Sequence, residues 1–222
     1  MRILAVADEE CPALWEHYVP GRLKEYDLIL SCGDLKASYL SFLVTMARCP
    51  VLYVHGNHDG SYNRKPPLGC DCLEDKLVIY NGVRILGLGG CVRYRPGPHQ
   101  YTQTQMRRRI RKLRWKLWLT KGVDIVVTHA PPAGMGDLAD NAHQGFEAFR
   151  ELLEKYQPQY LLHGHTHATY GTHLPKEHTC GASRVINVGQ RYTLDIAEGV
   201  CKKQHRNQLR WVGNPPELAD EA

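Results

Sequence analysis

Short apolar runs that break off at Gly, Asp, Asn or His recur along the chain. They are four to six residues long, rich in Val, Ile and Leu, and bounded by turn-forming residues, as buried strands are. The pattern predicts strands at 2–7, 27–32, 51–54, 123–128 and 159–163. Apolar residues at helical spacing predict helices at 37–48, 104–120 and 145–156, and a short helix fits 12–19. Strands that alternate with helices are typical of a parallel sheet with right-handed crossovers.

Two hairpins are also predicted. Asn81-Gly82 lies between apolar runs at 77–80 and 84–88 and is a strong signal for a type I′ turn. Later in the chain, the runs at 183–188 and 192–196 are separated by a glycine-containing turn and are predicted to pair with each other. These hairpins would complete the sheet structure.

Composition places the chain among soluble globular proteins. It has 222 residues, of which 43% are hydrophobic and 23% charged, and this suits one domain with a substantial core. We expect that domain at residues 1–196, followed by a polar, poorly ordered tail at 197–222. No apolar run approaches about 18 residues and the N-terminus does not resemble a signal peptide, so we expect a cytoplasmic protein with no membrane partner. In that compartment the eight cysteines are expected to be free thiols.

The ends of the predicted parallel strands carry the chemistry. Each of them is followed by a side chain that can bind a metal: Asp8, Asp34, Asn57, His129, and the pair His165 and His167. A single histidine at a strand end is more often structural, but five such ends at the edge where α/β sheets bind ligands favour a site. Carboxylate, amide and imidazole ligands suit Mn²⁺, Fe or Zn²⁺, and a shared carboxylate can bridge two ions.

These residues fall into five motifs, which are Asp8, Gly33-Asp34, Gly56-Asn57-His58-Asp59, Thr128-His129 and Gly164-His165-Thr166-His167. In order and spacing they resemble the calcineurin-like metallophosphoesterases, over about residues 1–196. The resemblance implies a four-layer α/β/β/α sandwich and a binuclear metal-dependent phosphoesterase. It implies one metal held by Asp8, residue 10, Asp34 and His167, and a second held by Asp34, Asn57, His129 and His165. His58 would contact the phosphate and protonate the leaving oxygen, and Asp59 would orient His58.

Residue 10 departs from the family pattern, which usually has histidine there. The chain has Glu10 instead. If the extended backbone continues past Asp8, the side chains of Asp8 and Glu10 point the same way. A carboxylate can coordinate these metals, so Glu10 is expected to be a ligand, and weak binding or a partly filled metal site is the alternative. Because a carboxylate is a harder ligand than imidazole, we expect two divalent ions with Mn²⁺ favoured, and Fe, Zn²⁺ or Mg²⁺ as alternatives.

The expected reaction is hydrolysis of a phosphate ester by a metal-bound hydroxide, with a phosphodiester favoured over a monoester. His143, in the loop after the His129 strand, is a candidate substrate contact, although helix capping or a surface role fits it equally. Arg93 and its neighbour Tyr94 are further candidates, since they lie in a loop after a glycine-rich strand.

Two other functions remain open. Residues 107–116 carry seven Arg or Lys side chains, which would suit a nuclease docking on nucleic acid. The intact apolar stripe favours the simpler interpretation, a solvated face of an amphipathic helix, and the net charge of +5 does not by itself require a nucleic-acid partner. The second alternative is a non-catalytic protein-binding scaffold on the same fold. The presence of His58 argues against it, and the sequence does not indicate an oligomeric state.

Overall fold

The computed structural model describes residues 1–167, 175–197 and 208–213. The strands are β1 (Arg2–Val6), β2 (Leu28–Ser31), β3 (Val51–Tyr53), β4 (Asp71–Cys72), β5 (Leu77–Tyr80), β6 (Val83–Leu88), β7 (Cys91–Val92), β8 (Gln100–Tyr101), β9 (Ile125–Thr128), β10 (Tyr160–His163), β11 (Glu177–Cys180), β12 (Ser183–Asn187), β13 (Arg191–Asp195) and β14 (Leu209–Trp211). The helices are α1 (Ala37–Met46), α2 (Gln103–Leu119) and α3 (Glu147–Tyr156), with 3-10 turns at Pro12–Leu14 and Asp59–Asn63.

Two large sheets form the centre of the described structure. One has five strands in the order β13-β1-β2-β3-β4, and the other has seven in the order β11-β12-β10-β9-β6-β5-β14. Strands β1 to β4 are parallel, as are β6, β9, β10 and β12, while the other strands of both sheets pair in antiparallel fashion. Strands β7 and β8 form a separate small pair.

The apolar side chains sort into three layers of core. The inner faces of both sheets pack on each other through residues such as Leu30, Ile85 and Leu162. The outer face of the five-stranded sheet packs on α1 through residues such as Leu43. The outer face of the seven-stranded sheet packs on α2 and α3. Helix, sheet, sheet and helix therefore follow one another, and the predicted four-layer α/β/β/α sandwich is confirmed.

Most predicted elements appear within two or three residues of their expected ends. The three predicted helices are α1, α2 and α3, and the five predicted parallel strands are β1, β2, β3, β9 and β10. The type I′ hairpin also forms, because Asn81 and Gly82 have φ values of 50° and 86° between β5 and β6. The segment predicted as a short helix at 12–19 forms a 3-10 turn over Pro12–Leu14.

The predicted hairpin between residues 183–188 and 192–196 is wrong. Both strands exist, but β12 pairs with β10 and β11 in one sheet, while β13 pairs with β1 in the other. Strand β12 already has a neighbour on each side, whereas the outer edge of β1 is open to β13. The turn at Gly189 therefore carries the chain from one sheet to the other, which a local sequence pattern does not report.

Residues 208–213 lie in the stretch expected to be a poorly ordered tail, and they contain β14. This strand pairs antiparallel with β5 at the edge of the seven-stranded sheet, with Trp211 opposite Val78. The remainder of that stretch beyond residue 197 lies outside the described residues. In the described part of the chain, no helix has both the length and the apolar character needed to cross a membrane.

The packing between the sheets generates a stability prediction. Ile85 is fully buried there, so Ile85→Ala should lower the free energy of unfolding by about 2–5 kcal/mol through lost burial and a residual cavity. Val19→Ala is the matched control, because Val19 is 53% exposed and its truncation should change stability by less than about 0.5 kcal/mol. Urea unfolding of both variants in the presence of a chelator measures this. Equal effects would contradict the proposed packing.

Candidate metal centre

The predicted site residues from both sheets come together at one edge of the sandwich. Three of these residues lie two or three positions after the ends of β1, β2 and β10, namely Asp8, Asp34 and His165. All three adopt left-handed backbone conformations, with φ values of 64°, 56° and 69° respectively. Non-glycine residues rarely adopt this conformation, and where they do it is often at a functional site. The chain turns sharply at each strand end, and this turn directs the polar side chain into the space between the sheets.

Carboxylates hold these turns in place through backbone amides. Asp59 accepts hydrogen bonds from the amides of Asp34 at 2.8 Å and Gly56 at 2.7 Å. Asp34 in turn accepts from the amide of His58 at 2.8 Å. Bonds from an amide to an ionised carboxylate are stronger than those between neutral groups, so the motifs after β2 and β3 form one connected unit.

A similar bond links the two sheets. The amide of His165, which follows β10, donates to both carboxylate oxygens of Asp8, at 2.9 and 3.0 Å. Gly164 allows this approach, because a side chain there would overlap the Asp8 carboxylate. The first and last motifs of the chain are therefore in direct contact.

Asp34, His129 and His165 form a group with the geometry of a metal site. One ligand atom from each lies within 4.8 Å of the others. The Nδ1 of His129 donates to the Cys32 carbonyl at 2.9 Å, and the Nε2 of His165 donates to the Ala142 carbonyl at 2.8 Å. In a neutral ring bonded in this way the other nitrogen keeps its lone pair, which is how metal-binding histidines are usually oriented.

The electrostatics of the group also favour a cation. Burial disfavours ionisation of Asp34, but the charge of His129 and its hydrogen bond hold the pKa of Asp34 well below its usual range. Burial opposes protonation of His129 as well, yet Asp34 raises the pKa of His129 to about 9. Burial, assisted by the charge of His129, lowers the pKa of His165 to about 3. The group therefore holds an ionised carboxylate on Asp34, a neutral imidazole on His165 and a proton on His129. A divalent ion would take the place of that proton.

Asn57 and Tyr94 extend the site on the side of β3. Asn57 is buried, and its Oδ1 lies 3.0 Å from the Nε2 of His129, so it faces the same space. The Nδ2 of Asn57 lies 3.5 Å from the hydroxyl of Tyr94. Arg93, which precedes Tyr94 in the chain, points away from the site, because its guanidinium donates to the Gln100 carbonyl and to the Gln105 side chain. Of these two candidate substrate contacts, the structure places Tyr94 at the site.

Glu10 follows a turn at Asp8 and not a continuing strand. The left-handed turn at Asp8 redirects the chain, and the Glu10 carboxylate accepts from the amide of Lys36 at 3.2 Å and lies 3.5 Å from its Nζ. Glu9 takes the position nearer the last motif, with Oε1 at 3.6 Å from the Nδ1 of His167. The condition for aligning Asp8 with Glu10, a strand that continues past Asp8, is therefore not met, and the role of Glu10 as a metal ligand stays a prediction.

His58 and Asp59 have different surroundings. The His58 side chain is 66% exposed, and its Nε2 is 4.0 Å from the Asp34 carboxylate. Asp59 is buried, and burial together with the charge of Asp34 raises its pKa to about 6. The Asp59 carboxylate accepts hydrogen bonds from the Gly56 and Asp34 amides. Within the described part of the chain it forms none with the His58 ring. Asp59 therefore positions the motif backbones.

The loop after β9 brings His143 and the carboxylate of Asp140 beside the site. His143 lies beside His165, with ring centroids 5.1 Å apart, and its Nδ1 is 2.9 Å from Asp140. Asp140 also accepts from the amides of Ala142 and His143. Because Ala142 supplies the carbonyl that binds His165, Asp140 fixes the loop that orients this ligand. Sequence reasoning missed this role, and its one signal was an Asp three residues before a His in a loop.

The family model of the calcineurin-like phosphoesterases matches residues 2–169, and the chain belongs to this family. The predicted family is confirmed. As a member, the chain belongs to a family of metal-dependent phosphoric ester hydrolases, and Asp34, His129 and His165 form its candidate metal site.

Two relatives from Caenorhabditis elegans share part of the sequence. UPF0046 protein T07D4.2 is 27% identical over 121 residues, which is 53% of this chain and 29% of that protein. UPF0046 protein K07C11.7 is 23% identical over 217 residues, which is 83% of this chain and 66% of that protein. The chain thus spans less than two thirds of the length of either relative.

Solved structures share the fold at low sequence identity. The TT1561 protein of Thermus thermophilus superposes with a TM-score of 0.59 at 18% identity, covering 85% of this chain and 89% of that one. A putative 5'-nucleotidase from Staphylococcus aureus superposes with a TM-score of 0.52 at 13% identity, covering 95% of this chain and 52% of that one. These likenesses support the four-layer architecture alone.

The role of Asp140 generates the second prediction. Asp140→Ala removes the acceptor that holds Ala142 and His143, so His165 loses its orienting carbonyl and metal affinity should fall about 10–100-fold. Asn141→Ala is the matched control, since it changes the adjacent side chain of the same loop and should leave affinity unchanged. Titration calorimetry with Mn²⁺ measures both, and equal affinities in the two variants would contradict the positioning role.

Proposed function

We propose that the protein is a binuclear metal-dependent phosphoesterase that prefers phosphodiesters. The observation that carries the proposal is the position of Asp34. The Asp34 carboxylate lies 3.3 Å from the Nε2 of His129 and belongs to the ligand group that includes His165. It also accepts a hydrogen bond from the amide of His58. Asp34 follows a strand of the five-stranded sheet and faces two histidines that follow strands of the seven-stranded sheet, and this position supports a role for its carboxylate in bridging two ions.

The proposed ligand sets follow the sequence expectation. One ion would be held by Asp8, Glu10, Asp34 and His167, and the other by Asp34, Asn57, His129 and His165. When bound, a pair of divalent ions supplies Lewis acidity and the charge that offsets the phosphate oxygens. The predominance of oxygen ligands supports Mn²⁺ over softer ions, with Fe, Zn²⁺ and Mg²⁺ as alternatives.

The protein's own groups then bind and protonate the ester. We assign His58 as the acid that protonates the leaving oxygen, because its amide is fixed to Asp34 while its ring remains exposed to incoming substrate. Asp59 supports it indirectly by holding the surrounding backbone. His143 is proposed as a substrate contact beside His165. The orientation of Arg93 toward Gln105 makes it the weaker of the two candidates.

The preference for a diester rests on access. His58 is exposed and lies at the open edge of the sandwich, so both ester arms of a diester can leave the site. The third prediction is therefore Mn²⁺-dependent hydrolysis of bis(p-nitrophenyl) phosphate that exceeds hydrolysis of p-nitrophenyl phosphate. Rates for metal-stripped protein, with Mn²⁺, Fe²⁺, Zn²⁺ or Mg²⁺ added back, measure this. Absence of turnover with every ion would overturn the proposed activity.

The acid role of His58 is tested by the leaving group. His58→Ala should slow hydrolysis of a dinucleotide about 10²–10⁴-fold, because its alkoxide needs a proton. It should slow the nitrophenyl diester much less, because nitrophenolate leaves without one. His17→Ala, at an exposed histidine outside the motifs, is the control. Equal losses on both substrates would assign His58 to binding and not to proton transfer.

The fifth prediction concerns Glu10. Its partner Lys36 is 73% exposed on the side chain, and such surface pairs contribute about 1 kcal/mol or less, so an ion can displace Lys36. Glu10→Gln should therefore weaken one of two Mn²⁺ sites at least about tenfold, while Glu9→Gln should not. Calorimetric stoichiometry and affinity distinguish them. The reverse result would make Glu9, beside His167, the carboxylate ligand.

A further inference from the structure

A groove runs between α2 and α3 on the outer face of the seven-stranded sheet. Arg107, Arg111, Arg114 and Trp118 recur at spacings of four, three and four residues, so they form one stripe of α2 that faces α3. The groove consists of two adjoining depressions of about 190 and 550 Å³, which share Lys155 and Tyr156 of α3.

The groove is strongly basic. Arg107 is neutralised by Glu151, whose carboxylate lies 2.8 Å from it. The other four cations are Arg111, Arg114, Lys121 and Lys155, and none of them forms an ion pair with a residue in the described part of the chain. An uncompensated row of this kind attracts an extended polyanion.

Aromatic groups line the end of the groove near Lys121. Trp118 is 80% exposed, which is unusual for so large an apolar side chain, and Tyr156 lies across the groove from it. The intact core beneath α2 does not need Trp118, because Met106, Leu113 and Leu117 fill that face. An exposed indole among cations offers a surface on which a nucleic-acid base can stack.

The direction of the groove connects it with the metal edge. Both helices begin at that edge, where Gln103 donates to the Gly145 carbonyl and accepts from the Glu147 amide. Gly145 ends the loop that carries His143. A polymer lying in the groove therefore reaches the site edge with one end.

We propose that the groove between α2 and α3 binds single-stranded nucleic acid, with phosphates on Arg111, Arg114, Lys121 and Lys155 and a base stacked on Trp118. Regularly spaced arginines match a phosphate backbone, and a free indole face accepts any base without sequence preference. This binding is independent of the metal ions and of hydrolysis.

The test is fluorescence anisotropy with a labelled 20-nucleotide oligodeoxythymidylate in EDTA, so that failure of the proposed hydrolase activity does not affect it. Four phosphate contacts should give a slope of about −2.8 for log affinity against log salt concentration. The double variant Arg111→Glu with Arg114→Glu should bind at least tenfold more weakly, and its slope should fall to about −1.4. Trp118→Ala should weaken binding about tenfold.

Matched controls lie on the same helix outside the groove. Arg108→Glu with Lys112→Glu changes the charge equally on the outward face, and Trp115→Ala removes a second indole that is 53% exposed. Both should bind nearly as the parent does. Equal losses in groove and control variants, or no binding at low salt, would overturn the proposal. Binding to phosphatidylglycerol vesicles without binding to the oligonucleotide would overturn it in favour of a membrane surface.

Discussion

Hydrogen bonds from backbone amides to buried carboxylates are the interactions on which this structure depends. Asp8, Asp34 and His165 are all held in left-handed conformations, each of which costs about 1–3 kcal/mol. The Asp59 carboxylate stabilises the turn at Asp34, and the Asp8 carboxylate stabilises the turn at His165. These bonds therefore hold the turns after β2 and β10 in the conformation that brings Asp34 and His165 together.

The same bonds explain why one site can draw on two sheets. The inner faces of the sheets pack on each other through apolar side chains, and such packing is not directional. The contact between Asp8 and the His165 amide, together with the hydrogen bond from His129 to the Cys32 carbonyl, fixes their relative position at the edge. The candidate metal site therefore also links the two sheets at this edge.

Much of this could be predicted, because it depends on local patterns. Strand runs, helical spacing and the residues after each strand identified the layers, and they placed Asp34, His129 and His165 at a common edge. The expectations that were not met depended on backbone turns, or on which exposed strand edge a later strand would pair with. The alignment of Glu10 with Asp8 required extended backbone, which the turn at Asp8 interrupts, and β13 pairs with β1 because that edge was open.

The basic residues of α2 have different structural roles, which the composition of the segment does not distinguish. Arg109 is largely buried and contacts Glu74, Asp75 and the Gly89 carbonyl, with its guanidinium 4.2 Å from the centre of the Tyr101 ring. Because Glu74 also accepts from the His55 and Gly89 amides, Arg109 stabilises the backbone that leads into the Gly56 motif. Arg111 and Arg114, which come two and five residues after Arg109, face α3. One residue of the run therefore supports the metal edge from within, and the stripe beside it is left to carry charge along the surface.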